Sequence, residues 1–497
     1  MKKIIAVLTL IITTIQLCAC QANPNHNAVN SKNEGIFESN VHQSADNVDH
    51  LPTEVQSSEV FYSTDESVEF IMDIDQTFVP VNLPVFEVVP YNLTGDDVQR
   101  IVEVFFGDNV FYERDQSSNP TYSQKQIQNN IRRWSEYINP EKIMSLYIDE
   151  GTDPTYDINL LKTFIEQLTE LYEAAPVENP DPVCNWQLKK ERHYNNLALE
   201  IGGRKEADDA DVIYAYTEYN GVEYVLAATT HNQDNYVSNS ISIGLQSAFG
   251  LHWDSAIWRA ELCRTEEPTE AQLSAIEAKA EDILIQMDIG EWTIKSVYTN
   301  TEYYGDIPEY TIVVDAVPEF NGVSAVWKQN TENMIGHDTV ASNYPMSKIE
   351  ITFSPSGDLV YFDMVSPIVY KDVINSNVAI LSLDSLIETG KTHLMLSDSK
   401  AGYGLPGESG LIELYEEEFN EKIICKVTIS AISIEMGRIR KIDSDNSFYY
   451  VPVLVFEGTA EYYGKDSGTL YLSSSDYYKP TINLVLVNAV DGTIIEG

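Results

Sequence analysis

Residues 212–229 read VIYAYTEY-NG-VEYVLAAT: two runs of eight, Val212 to Tyr219 and Val222 to Thr229, on either side of Asn220-Gly221. Both runs are rich in β-branched and aromatic residues, which suit a pleated surface. Asn-Gly supplies the positive φ angles of a two-residue turn, so the stretch predicts an antiparallel hairpin.

Upstream of this hairpin the period is helical. A helix is predicted over 94–106: Thr94 caps it, Asp97 lies three residues on, and Val98, Ile101, Val102 and Phe105 share one face before Gly107 stops it. Two more follow at 124–138 and 157–173, the second ending before Pro176 and Pro180. Downstream, Thr269 and Gln272 form a capping box for a helix over 270–288, closed by Gly290. Hairpins resume there. Tyr310 to Val317 leads toward Asn321-Gly322, and Lys348 to Phe353 turns through Ser354-Pro355-Ser356-Gly357 into Leu359 to Val365. A short helix is predicted over 382–389, ending at Gly390, and the remainder is strand-rich: 422–435, 448–460, 468–473 and 481–489. Single helices alternating with hairpins predict an α+β fold, with helices packed on antiparallel meandering sheets. The length exceeds one comfortable core, so two domains or halves are expected, 79–262 and 263–497.

The N-terminus carries an address. Lys2 and Lys3 precede an apolar stretch from Ile4 to Leu17, which Leu17-Cys18-Ala19-Cys20 closes. That layout is a secretory signal, too short for a comfortable membrane span. It resembles bacterial lipoprotein signal peptides, whose lipobox is matched by Leu17, Ala19 and Cys20. The resemblance implies cleavage after Ala19 and diacylglycerol on the Cys20 sulfur, whose acyl chains (palmitate) supply the two that a stable anchor needs. Residues 1–19 are then the signal peptide. Residues 20–78, rich in Asn, Ser, Asp, Glu and Gln, read as a disordered tether with a mean reach of about 40 Å. The expected place is the outer face of a cell membrane, held through lipid on Cys20.

The chain has 31 basic and 77 acidic residues, a net charge of -46. Loss of residues 1–19 removes Lys2 and Lys3 and no acid, leaving -48. Such a surface repels nucleic acid and anionic lipid and favours a cationic or protein partner. The clusters Arg438, Arg440, Lys441 and Lys189, Lys190, Arg192 are too small to reverse this. Beyond Cys18 and Cys20, three cysteines remain, and their spacing matches no zinc pattern. Cys425 lies in an apolar run and reads as core. Whether Cys184 and Cys263 form a disulfide is left open by spacing alone.

Three stretches carry a family resemblance. They are Leu83-Pro84-Val85 with Leu93-Thr94 and Phe105-Phe106-Gly107-Asp108; Met287-Asp288-Ile289-Gly290; and Tyr450-Val451-Pro452-Val453 with Phe456-Glu457-Gly458 and Val487 to Gly492. Together they resemble an uncharacterised lipoprotein family of clostridia and related Firmicutes, a domain of unknown function. The closing Asn488-Ala489-Val490-Asp491-Gly492 also resembles PepSY-like and YycI/YycH-like extracytoplasmic modules, which pack a helix on an antiparallel sheet and act as inhibitors or sensors. The resemblance brings no catalytic residues. Locally, Asp491-Gly492 suits a tight turn, Asn488 suits bonding to nearby backbone, and Pro452 suggests an edge strand or bulge.

No catalytic motif is complete. The eight histidines have no pair at i, i+4 and form no HExxH. Ser397-Asp398-Ser399-Lys400 matches S-x-x-K, yet Lys391-Thr392 is followed by His393 where K-T-G needs Gly. Asp443-Ser444-Asp445-Asn446 begins like a calcium loop, but Leu454 stands where its closing Glu belongs. The adjacent Tyr pairs among 30 Tyr read as strand residues, one ring in and one out. No cofactor and no metal site is expected. The sequence thus predicts a non-enzymatic, lipid-anchored module that binds or senses a ligand or protein. The alternatives are a cell-wall or glycan-active hydrolase using paired carboxylates, and a structural envelope protein.

Overall fold

The computed structural model describes residues 40–44, 54–78, 82–113, 122–144, 146, 155–193, 208–233, 236–245, 252–304, 307–327, 346–396, 410–441, 447–474 and 481–495. The fold is α+β, with 29% of the described residues in helix and 45% in strand. The strands, in chain order, are β1 (Glu54–Tyr62), β2 (Val68–Thr77), β3 (Val85–Pro90), β4 (Tyr112–Glu113), β5 (Lys189–His193), β6 (Asp208–Tyr219), β7 (Val222–Gln233), β8 (Tyr236–Leu245), β9 (Trp292–Tyr304), β10 (Ile307–Phe320), β11 (Val323–Ser324), β12 (Lys348–Phe353), β13 (Leu359–Val365), β14 (Ile368–Asn375), β15 (Ile423–Arg440), β16 (Phe448–Gly464), β17 (Leu470–Ser473), β18 (Ile482–Asn488) and β19 (Ile494–Ile495). The helices are α1 (Gly95–Phe106), α2 (Gln124–Tyr137), α3 (Pro140–Met144), α4 (Thr155–Leu171), α5 (His252–Cys263), α6 (Glu270–Met287), α7 (Leu383–Leu396) and α8 (Gly410–Phe419).

The chain forms two compact units, and they do not divide at 262/263. One takes residues up to 86, 373–442 and 450–497; the other takes 87–372 with 443–449. The expected boundary falls inside one ten-stranded sheet, where β8 pairs β13 from Tyr361↔Gly244 to Val365↔Ser240. Strands from before and after residue 262 are ladder partners, so a cut there would split the sheet.

The 87–372 unit is built on that sheet, ordered β11-β10-β12-β13-β8-β7-β6-β4, with β9 on β10 and β5 on β6. The hairpin read from Asn220-Gly221 lies toward its β4 end: β6 and β7 pair from Ala210↔His231 to Tyr219↔Val222, with φ 54° at Asn220 and 79° at Gly221. One sheet face, carrying Leu226, Ile243, Phe362, Ile351 and Val314, packs under α1 and α6 in a single core. A second cluster joins α2, α3 and α4 to Ile257 and Ala260 of α5 around the buried Trp134.

The other unit has a sheet running β1-β2-β15-β16-β18-β19. Its core buries Phe70, Val427, Ile429, Phe456 and Val487 against α7 and Ile412 of α8. β1 and β2, β16 and β18, and β18 and β19 pair antiparallel, whereas β15 joins β2 in parallel, from Cys425↔Val68 to Ile429↔Met72.

Several expectations change here. The tether cannot extend to residue 78. β1 and β2 pair from Glu54↔Thr77 to Tyr62↔Glu69, and Val68, Phe70, Met72 and Ile74 are buried. Their alternation with polar neighbours lay within a polar composition and went unread. Gly390 does not end its helix: α7 continues to Leu396, because a Cβ at 390 would overlap the Phe456 ring and glycine is what lets α7 approach β16. The left-handed cap of α6 is Asp288, φ 51°, two residues before Gly290. Pro452 lies in β16, which runs between β15 and β18 rather than at an edge. Its carbonyl accepts from Ala489 N–H, the one backbone bond a proline can make on that side. Asn488 Oδ1 does accept from Val490 N–H at 3.0 Å, and Gly492 has φ 76°. The Tyr pairs divide: Tyr462 is buried beside half-buried Tyr463, whereas Tyr449 and Tyr450 are both buried.

Candidate functional site

In the 87–372 unit, three chain terminations meet beside α6 and enclose a cavity of about 300 Å³. The first is the end of α1. The Thr94 hydroxyl accepts from Asp97 N–H while the Asp97 carboxylate accepts from Thr94 N–H at 2.9 Å, closing the capping box. The apolar stripe of α1 then runs into the core and finishes at Phe105 and Phe106. Gly107, φ 58°, donates its N–H to Glu103 O and turns the chain away. Asn109 Nδ2 bonds Thr217 Oγ1 at 2.6 Å and pins this turn to β6.

The second termination is the hairpin tip. Phe106 meets Tyr219 edge-on (centroids 5.3 Å, 87°) and Tyr224 at 5.0 Å and 65°. These are favoured geometries for rings with negative faces and positive edges. Tyr224 Oη donates to Leu359 O at 2.8 Å. Burial, reinforced by the charge of Asp358, pushes the Tyr224 phenol up, so it stays a donor.

The third is the turn between β12 and β13. Ser354 N–H donates to Asp358 O, Asp358 N–H donates to Ser354 Oγ at 3.0 Å, and Ser356 Oγ donates to Asp358 Oδ2 at 2.7 Å. Helix α6 is tied to this turn at two points. Gln272 Nε2 donates to Pro355 O at 3.0 Å and Lys279 Nζ to Gly357 O at 2.7 Å. Lys279 Nζ also lies 5.1 Å over the Phe353 ring. The cavity therefore has aromatic walls, with Lys279 and Asp282 of α6 and Asp358 of the turn among its polar lining.

A second polar feature lies on the sheet face opposite the core. Asp315, Glu350 and Asp363 stand in direct cross-strand register on β10, β12 and β13. Ser296 Oγ donates to Asp315 at 2.7 Å, and Ser242 Oγ to Asp363 at 2.5 Å. On the same face the buried Glu309 is held by Arg264 at 2.9 Å and Arg259 at 3.3 Å, and Arg259 also reaches Glu302 at 2.7 Å. Burial raises the Glu309 carboxyl even against these arginines. This network fastens α5 to β9 and β10, and its chemistry is structural.

The residues singled out from sequence fall elsewhere. Ala19 and Cys20, Ser397 to Lys400, and Asp443 to Asn446 lie outside the described residues. Cys184 and Cys263 are free, buried thiols rather than a disulfide, and Cys425 is likewise free and buried in the core. Burial pushes Cys263 and Cys425 up to about 12. Arg438 is fully buried, so it adds nothing to a surface basic cluster. Among the described residues no group of three His, Cys, Asp or Glu could hold a metal, and no helix is long and apolar enough to cross a membrane. The cleft residues had no signal of their own, because Phe105 reads as helix stripe and Tyr219 as strand.

No family model matches the chain, and no curated protein does. A solved crystal structure of an uncharacterized protein from Eubacterium rectale is similar over 92% of this chain and 98% of that one, with a TM-score of 0.32 and 12% identity.

Proposed function

We propose that this chain is an extracytoplasmic lipoprotein, anchored to the outer face of the membrane through lipid on Cys20, that binds or senses a small ligand or a protein. The observation that carries the binding role is the aromatic cleft beside α6. The anchor rests on Leu17-Cys18-Ala19-Cys20 behind a short apolar core. A cationic or protein partner suits the net charge of -46. Fragment soaks into crystals of the protein test the binding role. Fragments should gather between Phe106 and Lys279, and a cleft left empty across a diverse library would refute it. Labelled fatty acid tests the anchor, with incorporation expected in wild type and lost in Cys20→Ser; equal label in both refutes lipidation.

One observation favours a second reading. Asp282 and Asp358 line the same aromatic cleft, and the glycan-hydrolase alternative requires two carboxylates about 5–9.5 Å apart in such a cleft. Release of reducing sugar from cell-wall glycan by wild type, lost in Asp282→Asn, would establish it; no release by wild type rules it out.

A further inference from the structure

We infer that the cleft receives an organic cation, an ammonium or guanidinium group on a short apolar stem. The inference rests on reading the cleft as a binding site and names what it takes. Aromatic faces are negative and attract a cation within about 6 Å of the ring centroid. Phe105 and Tyr219 line the cavity with their rings only half-buried, and Asp282 and Asp358 bring two carboxylates against the single ammonium of Lys279. The chain already shows the interaction on itself, since the Lys279 ammonium sits 5.1 Å over Phe353 while bonding Gly357 O. The wall is therefore built to hold positive charge.

The competing ligand classes fare worse. An anion would face two carboxylates with only one cation, already engaged, to receive it. A neutral apolar guest would fill the walls but strip water from Asp282 and Asp358 without replacing it. The field of a chain with net charge -46 concentrates cations around it and depletes anions. A volume of about 300 Å³ is the small end for a ligand site, enough for a quaternary ammonium head or one basic side chain.

Lys279 gives the decisive sign. If the cleft took an anion, Lys279→Met would abolish binding. For a cationic ligand the same change removes a competing like charge and tightens binding. Calorimetric titration of the full chain with choline, and with its neutral carbon isostere 3,3-dimethylbutan-1-ol, reads this out. Choline should bind saturably, and the isostere at least about tenfold more weakly. Choline affinity should fall in Asp282→Asn, an exposed position on α6 where the fold does not depend on the carboxylate, and rise in Lys279→Met. It should also fall with added salt. Isostere binding equal to or tighter than choline overturns the cation inference and leaves the cleft a binding site. No binding of choline, L-arginine or the isostere overturns the inference and the binding site together.

Discussion

Asp97→Asn should destabilise the 87–372 unit by about 2–3 kcal/mol at neutral pH, by an amount that shrinks below about pH 4. The Asp97 carboxylate accepts from Thr94 N–H (2.9 Å), Thr94 Oγ1 (2.6 Å), Tyr91 Oη (3.1 Å) and Arg100 Nη2 (2.6 Å). An Asn there keeps one acceptor oxygen and turns an NH₂ toward a donor. Loss of a cap costs about 1 kcal/mol, and the helix dipole adds about 0.3–1 kcal/mol. A hydrogen bond to a charged group contributes about 1.5–3 kcal/mol. These overlap, and Arg100 is 36% exposed, so water screens its share of the ion pair. A total of about 2–3 kcal/mol follows, which lowers a urea midpoint by about 1 M at a slope of about 1–3 kcal/mol/M.

The pH dependence separates charge from shape. Burial alone would raise the Asp97 carboxyl, but the bonds from Thr94 and Tyr91 and the Arg100 charge outweigh it and hold it below the ordinary 3.8. A depressed folded pKa means that the unfolded chain takes the proton first. The stabilisation is complete above 3.8 and is lost as pH falls through the folded value. Urea unfolding followed by tryptophan fluorescence should show a constant gap between wild type and variant from pH 7 to 5, narrowing below 4. A gap that stays constant down to pH 3 would show that the charge is not its source. The effect reaches the cleft, since Arg100 Nε also donates to Met287 O at 2.8 Å and joins α1 to the last turn of α6.

Gly390→Ala should destabilise the other unit by about 1–3 kcal/mol, because the new methyl overlaps the buried Phe456 ring; a stabilised variant in thermal unfolding would mean α7 does not pack there as closely as described. Asn220→Ala, at φ 54°, should cost about 1–2 kcal/mol while Asn220→Gly stays near neutral, and equal midpoints for both variants would remove the left-handed turn from the account. Cys184, Cys263 and Cys425 should resist an aromatic disulfide reagent at pH 8 in the native state and react in denaturant, since all are buried and two are pushed up to about 12. A fast native reaction at any of the three would contradict that burial.

What could be read from sequence was what local physics decides. The Asn220-Gly221 and Asn321-Gly322 turns, the capping boxes at Thr94 and Thr269, and the α+β class needed only neighbours within a few residues. What could not be read depends on distant partners. β1 and β2 become strands because β15 aligns with β2 more than 350 residues away, and Gly390 stays helical because of Phe456. α5 lacks a strong amphipathic pattern, and part of its attachment comes from Glu309 on a strand that lies well downstream.

The cleft shows why a fold-making role is poor grounds for setting a residue aside. Phe105 and Phe106 finish a helix, Tyr219 and Asn220 finish a strand, and Gly357 and Asp358 make a turn, so each has a sufficient structural reason to be there. Element ends, however, are where a side chain loses its neighbours on one side. When three ends converge on one helix, the uncovered sides face each other and a cavity follows without any residue leaving its structural role. Selection on such a site acts on the exposed positions between the anchors. Lys279 and Asp282 fit that description: they are exposed on α6, line the cavity, and can change the ligand while Ile276, Ala280 and Ile283 keep the helix in place.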